Sequence, residues 1–141
     1  MANLNVYLNY NGDCEAAFNL YKSVFGGEFA AFSRFNEMPP SDQSLSESEG
    51  NKIMHVALPI GSQFVLMGSD CPPHFVGVQG NLFNISINAE SKAEAETLFN
   101  GLSEGGVVTM PLEDTFWGAY FGMFSDKFGV NWMVNYDYPK P

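Results

Sequence analysis

Residues 17–27 read Ala-Phe-Asn-Leu-Tyr-Lys-Ser-Val-Phe-Gly-Gly, and residues 95–106 read Ala-Glu-Thr-Leu-Phe-Asn-Gly-Leu-Ser-Glu-Gly-Gly. Ala17, Leu20, Tyr21 and Val24 recur as Ala95, Leu98, Phe99 and Leu102, and each set falls at i, i+3, i+4 and i+7. That spacing is one face of a helix. Each helix runs into a Gly pair, and glycine readily takes the left-handed conformation needed just past a helix end. An alternating stretch precedes each copy: Leu4-Asn5-Val6-Tyr7-Leu8 before the first and Phe83-Asn84-Ile85-Ser86-Ile87 before the second. One strand–helix unit therefore occurs twice, and the chain is expected to form a single pseudo-symmetric domain over residues 1–141.

Working outward, Leu4, Val6 and Leu8 are expected to pack on the first helix, leaving Asn5, Tyr7 and Asn9 on a wet face. Asn11-Gly12-Asp13 is turn chemistry, with Asp13 the expected N-cap of a helix over 14–25. A strand from Glu28 to Phe35 follows. Residues 36–50 are polar, acidic and without period, which reads as a mobile loop serving either as a lid or as a tolerated insertion. Strands at 53–59 and 63–69 form a hairpin through Ile60-Gly61-Ser62. A connector with Pro72, Pro73 and His74 leads to a strand at 82–88. Ser91-Lys92-Ala93-Glu94 is a capping box opening a helix over 92–104. A strand at 106–110 is expected to stop at Pro111 and an acidic turn, before two last strands at 117–125 and 129–136. The order is βαβββ twice, in modules of about 3–70 and 82–137, and the segregation of helices from strands predicts an α+β fold.

Six Lys and Arg against 16 Asp and Glu leave a formal charge of −10. Nucleic acid is excluded as a partner, because neutralising phosphates takes clustered cations. An anionic membrane surface is disfavoured on the same ground. The N-terminus lacks the basic and apolar regions of a signal peptide, and no apolar run approaches a membrane span. The expectation is a soluble cytoplasmic protein. Cys14 and Cys71 are too few for a disulfide framework. Cys14 opens the first helix, where the dipole can lower a thiol pKa, but the favoured reading is a small buried residue.

The stretches Tyr7–Cys14 leading into Ala17–Tyr21, then Phe25-Gly26-Gly27-Glu28, Glu37-Met38-Pro39, Asp114–Gly118, Phe121-Gly122 and Ser125–Trp132 resemble the vicinal oxygen chelate superfamily. That group includes glyoxalase I, bleomycin-resistance proteins and extradiol dioxygenases, and the likeness is strongest to its PhnB-like branch. The resemblance implies an open, cup-shaped mixed sheet with helices on its outer face, and a homodimer. In metal-using members, His, Glu or Gln on the first and last strands hold a divalent ion. The matching positions here are Asn5, Asn84, Met133, and Leu66 or Met67. Neutral amides and thioethers do not make a divalent site, so neither a metal nor another cofactor is expected. The branch sometimes carries a demethylubiquinone methyltransferase label. The common methyl-donor fold needs a Gly-rich turn from a strand into a helix, whereas these Gly pairs follow helices.

Candidate ligand-binding residues are Asn5, Tyr7, Asn9, His55, Asn84 and Trp117. His55 is the best available base, or else a structural histidine. Trp117 with Phe116 and Tyr120 reads as an aromatic wall or as core. Glu113 and Asp114 are adjacent and so point apart, which suits a solvated turn better than a carboxylate pair. Two function classes follow. One is a small-molecule-binding protein, and the other is a lyase, isomerase or oxygenase-type enzyme acting on a small oxygenated substrate.

Overall fold

A computed structural model describes residues 2–38, 45–72 and 75–140. The chain forms two compact units, residues 1–78 and 79–141, each with a four-stranded mixed sheet and a long helix. This is an α+β fold built from two modules of one plan.

In the first unit, β1 (Val6–Tyr10), β2 (Ala31–Arg34), β3 (Ile53–Ile60) and β4 (Phe64–Asp70) are ordered β1-β4-β3-β2. β1 runs parallel to β4, and the other neighbours are antiparallel. Helix α1 (Cys14–Phe25) buries Cys14, Ala17, Phe18 and Tyr21. It approaches the sheet closely at Gly68, where a Cβ would lie 2.7 Å from Phe18 Cε1 and 2.9 Å from the Leu8 carbonyl. The ring of Phe18 meets Tyr10 and Tyr21 edge-on, and the two tyrosine hydroxyls are 2.9 Å apart.

Four sequence expectations are corrected here. Leu4 lies ahead of β1 and is exposed, as is Val6, because α1 sits over the later half of the strand against Leu8 and Tyr10. Asp13 occupies the N-cap position but makes no side-chain cap. The N–H groups of Gly12 and Cys14 instead donate to Asp70 Oδ1, at 2.9 and 3.0 Å, and Ile53 N–H donates to Oδ2 at 2.9 Å. The strand expected from Glu28 begins only at Ala31 and ends in a single 3-10 turn, Phe35–Glu37. The acidic loop also contains a short helix, α2 (Glu47–Gly50), capped by Ser46. The expected mobile loop otherwise falls partly on residues 39–44, and His74 likewise falls outside the described residues.

In the second unit, β5 (Ile85–Asn88), β6 (Val107–Asp114), β7 (Ala119–Ser125) and β8 (Asn131–Asp137) are ordered β5-β8-β7-β6. Helix α3 (Lys92–Ser103) buries Ala95, Leu98, Phe99 and Leu102, the four positions of the repeat. Phe99 rests on Gly122, where a Cβ would be 2.6 Å from its ring. The helix starts on Ser91 Oγ, which accepts from Glu94 N–H at 3.0 Å, while the Glu94 carboxylate takes the Glu90 N–H. β6 does not stop at Pro111. It continues through Glu113 and Asp114 at the sheet edge, where proline's missing donor costs no ladder bond on the open side.

Candidate functional site

Strand alternation gives each sheet two faces. In the first unit, Val6, Leu8 and Tyr10 share the α1 side with Leu66, Gly68 and Asp70. Tyr7, paired with Met67, and Asn9, paired with Ser69, project from the far side, and alternation puts Asn5 there too. His55, opposite Ser33, lies on the same side. Asn9, Ser69, His55 and Ser33 therefore form a polar row across all four strands. The Tyr7 hydroxyl meets His55 Nδ1 at 3.3 Å, and the two rings lie 5.8 Å apart at 23°. With the hydroxyl donating, the ring proton sits on Nε2, which leaves the histidine a second hydrogen-bonding atom for a ligand.

In the second unit, the far face carries Ser86, Met133, Met123 and Met110 at one register, and beside them Asn88, Asn135, Phe121 and Glu113. Asn135 Nδ2 reaches Asn88 Oδ1 at 3.3 Å and Asp137 Oδ1 at 3.0 Å. Trp117 lies in the turn before β7. It touches Phe121 edge-on at 6.1 Å and Phe116 at 5.0 Å, and it is 57% exposed. Asn84 stands just ahead of β5, at the end of the sheet nearest Asn131. Trp117 is at the other end, so the two candidates are not neighbours.

Tyr120 and Asp114 lie on the α3 side. The Tyr120 hydroxyl donates to Glu96 Oε1 at 3.0 Å, and Lys92 lies over its ring at 4.8 Å. Burial, together with that carboxylate, raises the Tyr120 pKa. Tyr138 donates to Asp114, and this bond pushes its pKa up to about 12. Asp114 is thus held in a tyrosine pair away from Glu113. Cys14 is fully buried, and burial with Asp70 and Glu15 nearby drives its pKa far up, which rules it out as a nucleophile.

Of the positions implied for a metal, Leu66 is buried under α1 while Met67 shares the face of Tyr7. With Asn5 and Asn84 as amides and Met67 and Met133 as thioethers, the donors do not fit a divalent ion. Among the described residues, no three His, Cys, Asp or Glu side chains converge where an ion could sit.

The family model of the Glyoxalase/Bleomycin resistance protein/Dioxygenase superfamily matches residues 3–134. The chain belongs to this superfamily. It is 30% identical over 139 residues to protein YjdN of Escherichia coli K12, covering 94% of this chain and 93% of that one. Among solved structures it resembles protein PA1353 from Pseudomonas aeruginosa, with 46% identity, a TM-score of 0.85 and coverage of 97% and 98%. It also resembles a Bacillus cereus PhnB protein described as a putative 3-demethylubiquinone-9 3-methyltransferase. There the identity is 25%, the TM-score 0.74, and the coverage 96% and 99%. Each sheet of the present chain has a single parallel strand pair, unlike the doubly wound sheet of common methyl-donor sites.

The sequence reading missed the methionine row and the polar row containing Ser33 and Ser69. Alternation along β7 puts Phe121 and Met123 on one face, but the strand register that brings in Met110 is set by long-range pairing.

Proposed function

We propose that this protein binds a small organic molecule, with the Tyr7–His55 pair as its polar anchor. The observation that carries the reading is that contact, on a face whose next row is Asn9, Ser69, His55 and Ser33. Polar side chains so placed are satisfied by water or by a ligand, and a bound oxygen or nitrogen can replace the water. Asn5, Tyr7, Asn9 and His55 are the proposed binding residues of this first-unit face, and Asn84 and Trp117 are proposed as separate ligand contacts on the second unit. The amide and thioether donors support a site that works without a divalent metal.

A thermal-shift screen of dialysed protein against small oxygenated compounds tests this. Hits are expected to raise Tm, and His55→Ala and Tyr7→Phe are expected to weaken them about tenfold, the value of roughly one hydrogen bond to a polar ligand. Hits bound as tightly by both variants would remove the anchor. The pairing of an imidazole with a phenol also supports an enzyme reading, with His55 as general base toward a small oxygenated substrate. Its test is chemical conversion of a hit, followed by NMR, that stops in His55→Ala.

We also propose that the protein works as a homodimer in the cytoplasm. Exposed apolar side chains support the first, and two free, buried cysteines fit a reducing compartment. No helix among the described residues is long and apolar enough to cross a membrane.

A further inference from the structure

The far face of the second unit's sheet has a character of its own. Met110, Met123 and Met133 stand at one register on three adjacent strands, so three of the chain's seven methionines line up. Methionine's unbranched, polarisable side chain adapts to irregular apolar partners and makes favourable contacts with aromatic rings. Beside this floor, Phe121 and Trp117 form an edge-to-face aromatic wall. Directly opposite Phe121 is Glu113, exposed and without an ion-pair partner among the described residues. The second unit carries eight carboxylates against three lysines, and Lys92 is turned to the α3 side over Tyr120.

The geometry points to a planar aromatic cation as the ligand of this face. The flat ring stacks between the thioether floor and the Trp117–Phe121 wall, and its positive charge lies toward Glu113. A ring without charge gains the stacking but leaves Glu113 unanswered, and an anion is repelled. This inference names a ligand class for the small-molecule-binding reading and rests on it. It uses the second unit's face, so it stands or falls apart from the Tyr7–His55 anchor.

The chain's two tryptophans make the test direct. Trp132 is 1% exposed, with its Nε1–H donating to Asp126 Oδ2 at 3.0 Å, whereas Trp117 is open to solvent. A 15N-labelled sample is titrated with N-methylquinolinium, quinoline and 2-naphthoate at low salt, and the two indole N–H peaks are followed. The Trp117 peak is expected to shift saturably with N-methylquinolinium, while the Trp132 peak stays in place. Quinoline is expected to bind about 3- to 10-fold more weakly, the range of an exposed cation–π contact plus one screened charge pair, and 2-naphthoate not at all. Glu113→Gln is expected to bring the cation and quinoline to similar affinity, and Trp117→Leu, followed by the Phe121 backbone N–H peak in place of the lost indole peak, to weaken both. An unmoved Trp132 peak in each variant shows that it is folded. Equal binding of cation and quinoline by the parent, or an unchanged preference in Glu113→Gln, overturns the cation assignment while leaving small-molecule binding intact. Absence of any saturable Trp117 shift overturns the site itself, whatever ligands the Tyr7–His55 face takes.

Discussion

Asp70 ties its own strand to two chain segments far from it in sequence. Its carboxylate takes N–H groups from the turn before α1, from the first residue of α1 and from the start of β3, and it is buried. Each stranded donor in such a place costs about 1–3 kcal/mol. Asp70→Ala is therefore expected to lower the urea-unfolding free energy by about 3 kcal/mol or more. Asp70→Asn should rescue little, because an amide that keeps the two bonds at Oδ1 turns its NH2 toward the Ile53 N–H. Full rescue by Asn would show that hydrogen bonding at Ile53 contributes nothing. Glu15 offers a pH test. Arg34 grips its carboxylate in a bidentate pair at 2.9 and 2.8 Å, which holds its pKa below the ordinary glutamate range and raises that of Arg34. A depressed carboxylate pKa stabilises the fold above the unfolded-state value, and the gain disappears as pH falls through the folded-state value. Stability should thus fall more between pH 5 and pH 3 in the parent than in Glu15→Gln. Since both side chains are partly exposed, the difference should be only about 0.5 kcal/mol.

At the scale of elements, each long helix is seated by one phenylalanine over one glycine. Phe18 occupies the space above Gly68 in β4, and Phe99 that above Gly122 in β7. A methyl group at either glycine would meet both the ring and nearby backbone within 3 Å, so the helix must lift. Gly68→Ala and Gly122→Ala are each expected to cost about 1–3 kcal/mol, read as a lowered urea midpoint with unchanged m-value. Wild-type midpoints in both would mean that the helices ride freely on their sheets. The Gly pairs past the helices differ in detail. Gly26 and Gly27 both have positive φ, whereas in the second pair only Gly105 does. Gly106 is needed for another reason, since a Cβ there would lie 2.1 Å from the Ser125 carbonyl oxygen.

For the whole molecule, the distribution of apolar surface predicts self-association. Leu4, Val78, Leu82, Phe83 and Phe116 are each at least 86% exposed. Scattered apolar residues are ordinary on a monomer, but this many large ones favour a covered surface. Sedimentation at micromolar concentration is expected to give about twice the chain mass of 15.5 kDa. A species at the chain mass itself would contradict the dimer.

The elements and their repetition are legible in the local amino-acid pattern. Helices α1 and α3 span the expected stretches and the β3–β4 hairpin forms around Gly61, because these signals sit within a turn or two of chain. Helix α3 buries its four repeat positions, whereas α1 buries Cys14 and Phe18 with Ala17 and Tyr21 and leaves Leu20 and Val24 half-buried. The resemblance carried by those same local stretches pointed to the superfamily. Tertiary structure decided which residues meet. Asp70 replaced Asp13 as the acceptor at the start of α1, since a cap bond needs only an oxygen within reach, whichever part of the chain supplies it. It likewise paired Tyr7 with His55, aligned Met110 with Met123 and Met133, and set Asn84 and Trp117 at opposite ends of one sheet. Period-2 alternation tells which side of a strand a residue occupies, but the neighbour across the sheet follows from register, which is set by contacts dozens of residues apart.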